Sequence, residues 1–265
     1  MSIVKPIVKK LSHKYIAGDS FSDAEAIVEK LNFKGIWGIY NLLGESYSNS
    51  KSLQGYMDLL NQSGSMLSSV SIKLSNIDYD KDLLMKIAER AEYYCQQLSV
   101  DMEGMSKVDE TIRLVREVNQ SYPVGCVLQA NMNSSLEYSK TLENIHVRIC
   151  KGAYYGDIQR DKKIRANFNR IASRLLRNGC RVALATHDLR LTEQWVGDDV
   201  EYQFLYGVKH VIPFMERVKK GHKVSVYIPF GENWYEYSLR RIDENPFLMF
   251  TVAKDVIREW LKRQR

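Results

Sequence analysis

Apolar positions along this chain fall into two alternating rhythms. Short runs of apolar and β-branched residues read as strands at Gly35–Leu43, Val70–Leu74, Leu98–Met102, Val124–Ala130, His146–Lys151, Arg181–His187, Tyr202–Tyr206 and Lys223–Pro229. Between them apolar residues recur every three to four positions, the period of a helix with one buried face, over Leu53–Gln62, Lys81–Gln97, Lys107–Gln120, Ser134–Leu142, Lys162–Asn178, Leu191–Val196 and Ile212–Lys219. Nearly continuous apolar strands belong to a parallel sheet whose faces are covered by helices. Eight strand and helix units within 265 residues predict an α/β fold, a closed (β/α)8 TIM-like barrel, over an open sheet. The barrel is placed at 35–265, after an N-terminal helical arm at 1–34, as one domain.

Two helices follow the eighth strand where a minimal barrel needs one. The later, Phe247–Arg263, carries Phe247, Phe250, Val256, Ile257, Trp260 and Leu261 on one stripe and reads as the outer-ring helix. The earlier starts near Asn233 and stops before Pro246, with Tyr237, Arg240, Arg241 and Glu244 on one face. A short extra helix just past a strand's C-terminal end sits at the barrel mouth, where barrel enzymes build their sites.

Charge adds little to this picture. The net charge is +6, but 38 Lys and Arg are scattered among 32 Asp and Glu without a basic block, which argues against nucleic acid as partner. Cys95, Cys126, Cys150 and Cys180 form no C-x-x-C pair and no zinc-ligand spacing with a histidine, so they read as reduced thiols of a cytoplasmic protein. No apolar run has the length of a membrane span. Val4, Ile7, Val8, Leu11 and Tyr15 form an apolar stripe flanked by lysines, which suits either packing on the fold or lying on a membrane surface.

Polar residues at the C-terminal ends of the strands are the candidates for chemistry. They are Lys73, Asp101, Glu103, Gln129, Arg148, Lys151, Thr186, His187, Asp188, Gln203 and Tyr227. Neither G-x-G-x-x-G, a Walker loop nor H-E-x-x-H occurs, so a nucleotide cofactor would have to bind without a Rossmann module.

The combination resembles the proline dehydrogenases, including that domain of bifunctional proline utilisation proteins. The similarity rests first on Tyr227-Ile-Pro-Phe-Gly231 followed by Trp234-Tyr-Glu-Tyr237-Ser-Leu-Arg240-Arg241-Ile-Asp-Glu244-Asn245. Arg148-Ile-Cys-Lys151-Gly-Ala-Tyr154-Tyr155, Ala185-Thr-His-Asp188 and Tyr202-Gln-Phe-Leu-Tyr-Gly207 support it, with weaker matches at Asn41–Glu45, Ser71–Ser75 and Val100–Glu103. These motifs stand in family order over about residues 35–250; Asp188 departs from the asparagine expected at its place.

The resemblance implies FAD across the barrel mouth, contacted by Met102, Val127, Gln129, Lys151, Gly152, Ala153, Tyr154, Thr186, His187, Gln203 and Leu205, with Arg148 near the hydride-accepting nitrogen. It implies L-proline beside the flavin, its carboxylate on Arg240 and Arg241, its ring walled by Tyr227 and Tyr237, a Lys73–Glu244 pair, and Asp101 completing the polar cluster. The implied reaction is hydride transfer giving Δ1-pyrroline-5-carboxylate, with Asp101 or bulk water taking the amine proton. A membrane quinone is the expected acceptor, so peripheral membrane contact is also implied. The alternatives are another flavin barrel, such as methylenetetrahydrofolate reductase, and a catalytically silent barrel serving as a basic binding module.

Overall fold

A computed structural model describes residues 12, 15–44, 48–64, 66–235 and 238 of the chain. The elements in order are α1 (Phe21–Asn32), β1 (Trp37–Leu42), α2 (Asn49–Ser63), β2 (Ser68–Ile72), α3 (Lys81–Tyr93), β3 (Gln97–Val100), α4 (Val108–Val118) and β4 (Val124–Gln129). Then come α5 (Asn133–Tyr138), β5 (His146–Cys150), α6 (Asp161–Arg177), β6 (Arg181–Ala185), α7 (Leu189–Thr192), β7 (Val200–Leu205), α8 (Ile212–Val218) and β8 (Val224–Phe230). The strands are parallel, each paired with the next, and β1 closes onto β8 through Trp37 opposite Ser225 to Leu42 opposite Phe230. The expected closed barrel is therefore the fold. Among the described residues no helix is long and apolar enough to cross a membrane.

Several element ends differ from the sequence reading. Gln97 opens β3 instead of closing α3, because Cys95 takes a left-handed backbone conformation, φ 53°, that ends the helical path. Strand β2 begins two residues early and stops at Ile72, so Lys73 and Leu74 fall in the turn beyond it. Asp101 and Met102 follow β3, and Thr186 and His187 follow β6, rather than lying within strands. The run Leu191–Val196 resolves into α7 and a short 3-10 turn, Glu193–Trp195.

The helix α1 was not separated from the N-terminal arm by the sequence reading, although its start is encoded locally. The Ser20 hydroxyl accepts from the Asp23 amide, while the Asp23 carboxylate accepts from the Ser20 amide, a reciprocal cap. This helix packs on β1 and β8: Phe21 meets the rings of Tyr40 and Phe230, and Val28 lies against Gly38. It thus covers the seam where the barrel closes. The helix expected to take the outer ring, Phe247–Arg263, lies outside the described residues. Of the extra helix after β8, Trp234, Tyr235 and Ser238 are helical, and Trp234 packs with Tyr15, Ile16 and Leu43.

Close approach of α1 depends on Gly38, where an added Cβ would stand 2.5 Å from the Val28 methyl. Gly38→Ala should therefore destabilise the fold by about 1–3 kcal/mol, the usual cost of overpacking. Val28→Ala in the same chain should return part of that loss. Urea midpoints of the single and double variants check this, and a Gly38→Ala midpoint equal to the parent's would contradict it.

Two populations of side chains alternate along the strands. Val70, Ile72, Val100, Val147, Ile149, Leu184, Tyr202, Phe204 and Val226 join the helices in the apolar core. Their neighbours face the lumen, as shown by contacts between strands that are not adjacent. Arg148 on β5 reaches Ser71 on β2, and Tyr227 on β8 reaches the Asp101 that follows β3. Those contacts are possible only across the interior. Unlike a barrel filled with branched apolar residues, this lumen carries Ser71, Ser99, His146, Arg148, Glu201, Gln203, Ser225 and Tyr227.

Candidate active site

At the C-terminal mouth, hydrogen bonds converge on Arg148. Its Nε donates to the Gln203 Oε1 at 2.5 Å, and its Nη1 donates to Ser71 Oγ at 3.0 Å and to Asp101 Oδ1 at 2.6 Å. Asp101 Oδ1 also accepts from the Ser71 hydroxyl at 2.7 Å, and its Oδ2 accepts from the Tyr227 hydroxyl at 2.6 Å. The guanidinium carbon lies 5.2 Å from the Tyr227 ring centre. The Arg148 and Asp101 side chains are only 6% and 14% exposed. A charge pair this deep is supported by further hydrogen bonds to both partners, here from Gln203, Ser71 and Tyr227.

The loop after β5 is held from beneath by two amides. Gln129 Oε1 accepts from the Ala153 and Tyr154 amides at 2.8 and 3.3 Å, while its Nε2 donates to the Glu103 carbonyl at 3.0 Å. Asn131 donates through Nδ2 to the Tyr154 carbonyl at 2.7 Å, and its buried Oδ1 has no hydrogen-bond partner among the described residues. Gly152, at φ 128°, rests directly on Asn131: a Cβ there would lie 2.1 Å from its Oδ1. Only glycine combines that backbone angle with that closeness.

Cations gather beside this loop. Lys151 pairs with Asp161 at 2.5 Å and Asp188 at 3.3 Å, Arg165 lies against both carboxylates, and Arg190 clasps Asp188 at 2.9 Å. The Arg190 hydrogen bond, with Lys151 behind it, holds the Asp188 carboxyl down at about 2. Three cations face two carboxylates in this group, so one positive charge is uncompensated within it.

His187 is a neutral acceptor. Its Nε2 accepts the Leu205 amide at 2.9 Å, which leaves the ring proton on Nδ1, and its ring stacks on Phe204. Burial, reinforced by nearby His210, depresses its pKa to about 4. In the unfolded chain the same group titrates near 6.5, so below that pH the unfolded state takes up a proton that the folded state refuses. This contribution to stability is complete above pH ~6.5 and lost as pH falls toward 4; the shift corresponds to on the order of 3 kcal/mol. Urea unfolding at pH 7 and 4.5 should show a steeper loss in the parent than in His187→Gln, whose amide accepts without titrating. Parallel losses would refute the assignment.

Where do the sequence candidates lie? Lys73 and Met102 are buried just past β2 and β3; Val127 and Gln129 lie in β4 and Arg148 in β5; Lys151, Gly152, Ala153 and Tyr154 form the following loop. Thr186 and His187 follow β6, Gln203 and Leu205 end β7, and Tyr227 is in β8. All stand at the same end of the barrel. Tyr237, Arg240, Arg241 and Glu244, and with Glu244 the expected Lys73 pair, lie outside the described residues. Sequence reasoning assigned no role to Ser71, Asn131, Arg165 or Glu201. The only local signal among them is the i, i+4 spacing of Asp161 and Arg165 on α6.

A family model described as proline dehydrogenase matches residues 24–249. Similar proteins include proline dehydrogenase 1 of Bacillus subtilis subsp. natto, 27% identical over 276 residues covering 94% of this chain and 91% of the relative. Another is proline dehydrogenase of Deinococcus radiodurans, 30% identical over 273 residues covering 89% and 86%. Among solved structures, proline utilization A from Bdellovibrio bacteriovorus, inactivated by N-propargylglycine, aligns with a TM-score of 0.80 at 22% identity, over 91% of this chain and 33% of that one. Proline utilization A from Corynebacterium freiburgense gives 0.74 at 23% identity, over 94% and 32%. The chain spans about a third of those two proteins, and at such identities the likeness speaks to the fold alone. The match over 24–249 and the relatives aligned nearly end to end decide the question: the chain belongs to the proline dehydrogenase family, oxidoreductases acting on a CH–NH donor.

Proposed function

We propose that this chain oxidises L-proline to Δ1-pyrroline-5-carboxylate with noncovalently bound FAD, the electrons passing to a membrane quinone. The observation that carries the reading is the buried Arg148, fixed at the barrel mouth by Asp101, Ser71 and Gln203.

The residues present fit a flavin dinucleotide. The uncompensated positive charge of the Lys151, Arg165 and Arg190 group suits a diphosphate, and the side-chain-free Gly152 allows close approach of a flat ring or phosphate. His187 Nδ1–H adds a donor at the same end. Met102, Val127, Gln129, Lys151, Gly152, Ala153, Tyr154, Thr186, His187, Gln203 and Leu205 would hold the cofactor. When bound, FAD supplies the two-electron acceptor for the hydride that leaves the proline ring carbon. Arg148 provides fixed positive charge where negative charge develops. The Asp101 oxygens accept from Ser71, Arg148 and Tyr227, and either Asp101 or bulk water takes the amine proton. Tyr227 is thereby held as one wall of the substrate space. To Arg240, Arg241, Tyr237 and Glu244 the reading gives the carboxylate clamp, the opposite wall and the partner of Lys73.

Anaerobic addition of proline to the purified protein tests this. A yellow protein whose visible flavin band bleaches with proline, and whose colour is released by acid, fits the proposal. A colourless protein that takes up no FAD, or a yellow one that proline leaves unbleached, would sink it.

A further inference from the structure

Beneath the mouth the polar chain continues through the lumen to the opposite end. Glu201 and Gln203 are two residues apart on β7 and so share its inner face. Glu201 Oε1 accepts from Gln203 Nε2 at 2.8 Å and from Ser225 Oγ at 2.6 Å. Its Oε2 lies 3.4 Å from Lys223 Nζ and 3.7 Å from His146 Nε2. Burial opposes ionisation of Glu201, but His146, Lys223 and Ser225 outweigh it and hold the carboxyl at about 2.

A primary amide donates at one end and accepts at the other. An anion at the Nε2 end of Gln203 therefore sets which way the amide faces, and Oε1 is left to receive Arg148 Nε at 2.5 Å. The guanidinium is thus braced by a carboxylate on each side, by Asp101 directly and by Glu201 through one amide. Lys223 and His146 occupy the other Glu201 oxygen, so a floor ion pair alone would not require the bond to Gln203.

We propose that Glu201 is a positioning residue for Arg148, acting through the Gln203 amide; its bearing on catalysis rests on reading the mouth cluster as the reaction site. Glu201→Gln keeps the shape and a carbonyl but removes the anion. In the purified holoenzyme, the Arg148 Nε–H resonance, assigned by its loss in Arg148→Lys, should exchange with solvent about tenfold faster in Glu201→Gln, and kcat should fall by about the same factor with proline KM little changed, the effect of weakening one charge-assisted hydrogen bond. In Gln203→Leu, adding Glu201→Gln should change neither readout further, because the connecting amide is gone. An unchanged Nε–H exchange rate in Glu201→Gln, or full additivity in the double variant, would overturn the proposal. If Glu201→Gln does not fold, Glu201→Asp, which keeps the charge but draws it back from Gln203 Nε2 by one methylene, should move the resonance in the same direction, and no movement there counts equally against it. Failure of the parent to oxidise proline would refute the reading of the site while leaving the Nε–H comparison to decide what positions Arg148.

Discussion

Replacing Arg148 with methionine is expected to lower kcat/KM for proline by at least about 100-fold, the scale of losing one fixed donor to developing negative charge. The same change should cost about 3–5 kcal/mol of stability, because it leaves a buried carboxylate without its cation. The loss is large since three bonds vanish together, those to Gln203, Ser71 and Asp101, and the Tyr227 ring loses the charge beside it. Arg148→Lys should fall between, because an ammonium cannot span Gln203 and Asp101 at once as the planar fork does. Steady-state kinetics and urea unfolding of the two variants give the comparison. Parent-like turnover in Arg148→Met would remove the main support for placing the chemistry at this mouth.

The barrel was legible because each buried parallel strand is apolar enough to stand out between helical stretches. The pairing across the lumen was not. Ser71 and Arg148 sit inside such runs and Glu201 just before one, and their contacts are to partners far away in sequence. Asp101 and Tyr227 are 126 residues apart, and Arg148 and Ser71 are 77 apart. No local pattern encodes a contact across a closed sheet; it appears only once strand order and register are known. The same limit explains Asn131, whose role is steric support for a loop some 20 residues later in the chain. Helix α1 is a different case. Its cap at Ser20 and Asp23 stands in the sequence, and only its place over the β1–β8 seam required the structure.

Element ends mattered more than element identities for the candidate site. Asp101, Thr186 and His187 lie just beyond their strands, where backbone direction is free to change. That freedom lets the Asp101 carboxylate turn across the mouth to Tyr227 and lets the His187 ring fold back to cap the Leu205 amide. These ends are then fixed by long-range bonds. Gln129 does the same for the loop after β5 by joining it to the Glu103 carbonyl from the loop after β3.

Gly152→Ala is expected to have the second large effect, and for reasons independent of charge. A residue with a side chain at φ 128° costs about 1–3 kcal/mol in backbone strain. Its Cβ would also overlap the Asn131 amide at 2.1 Å, adding about 1–3 kcal/mol of overpacking unless something moves. Asn131 has little room to yield, since its Nδ2 holds the Tyr154 carbonyl, its amide donates to the Lys151 carbonyl and its own carbonyl accepts from Ile158. The loop must therefore shift, carrying Lys151, Ala153 and Tyr154 with it. On the proposed function, a displacement of about 1 Å lowers turnover by about 100-fold, and flavin should be lost on gel filtration. Adding Asn131→Ala should recover some stability, because it removes the overlap, but little turnover, because the backbone strain and the lost Tyr154 support remain. A Gly152→Ala protein that keeps its flavin and oxidises proline at the parent rate would show that this cradle does not hold the cofactor.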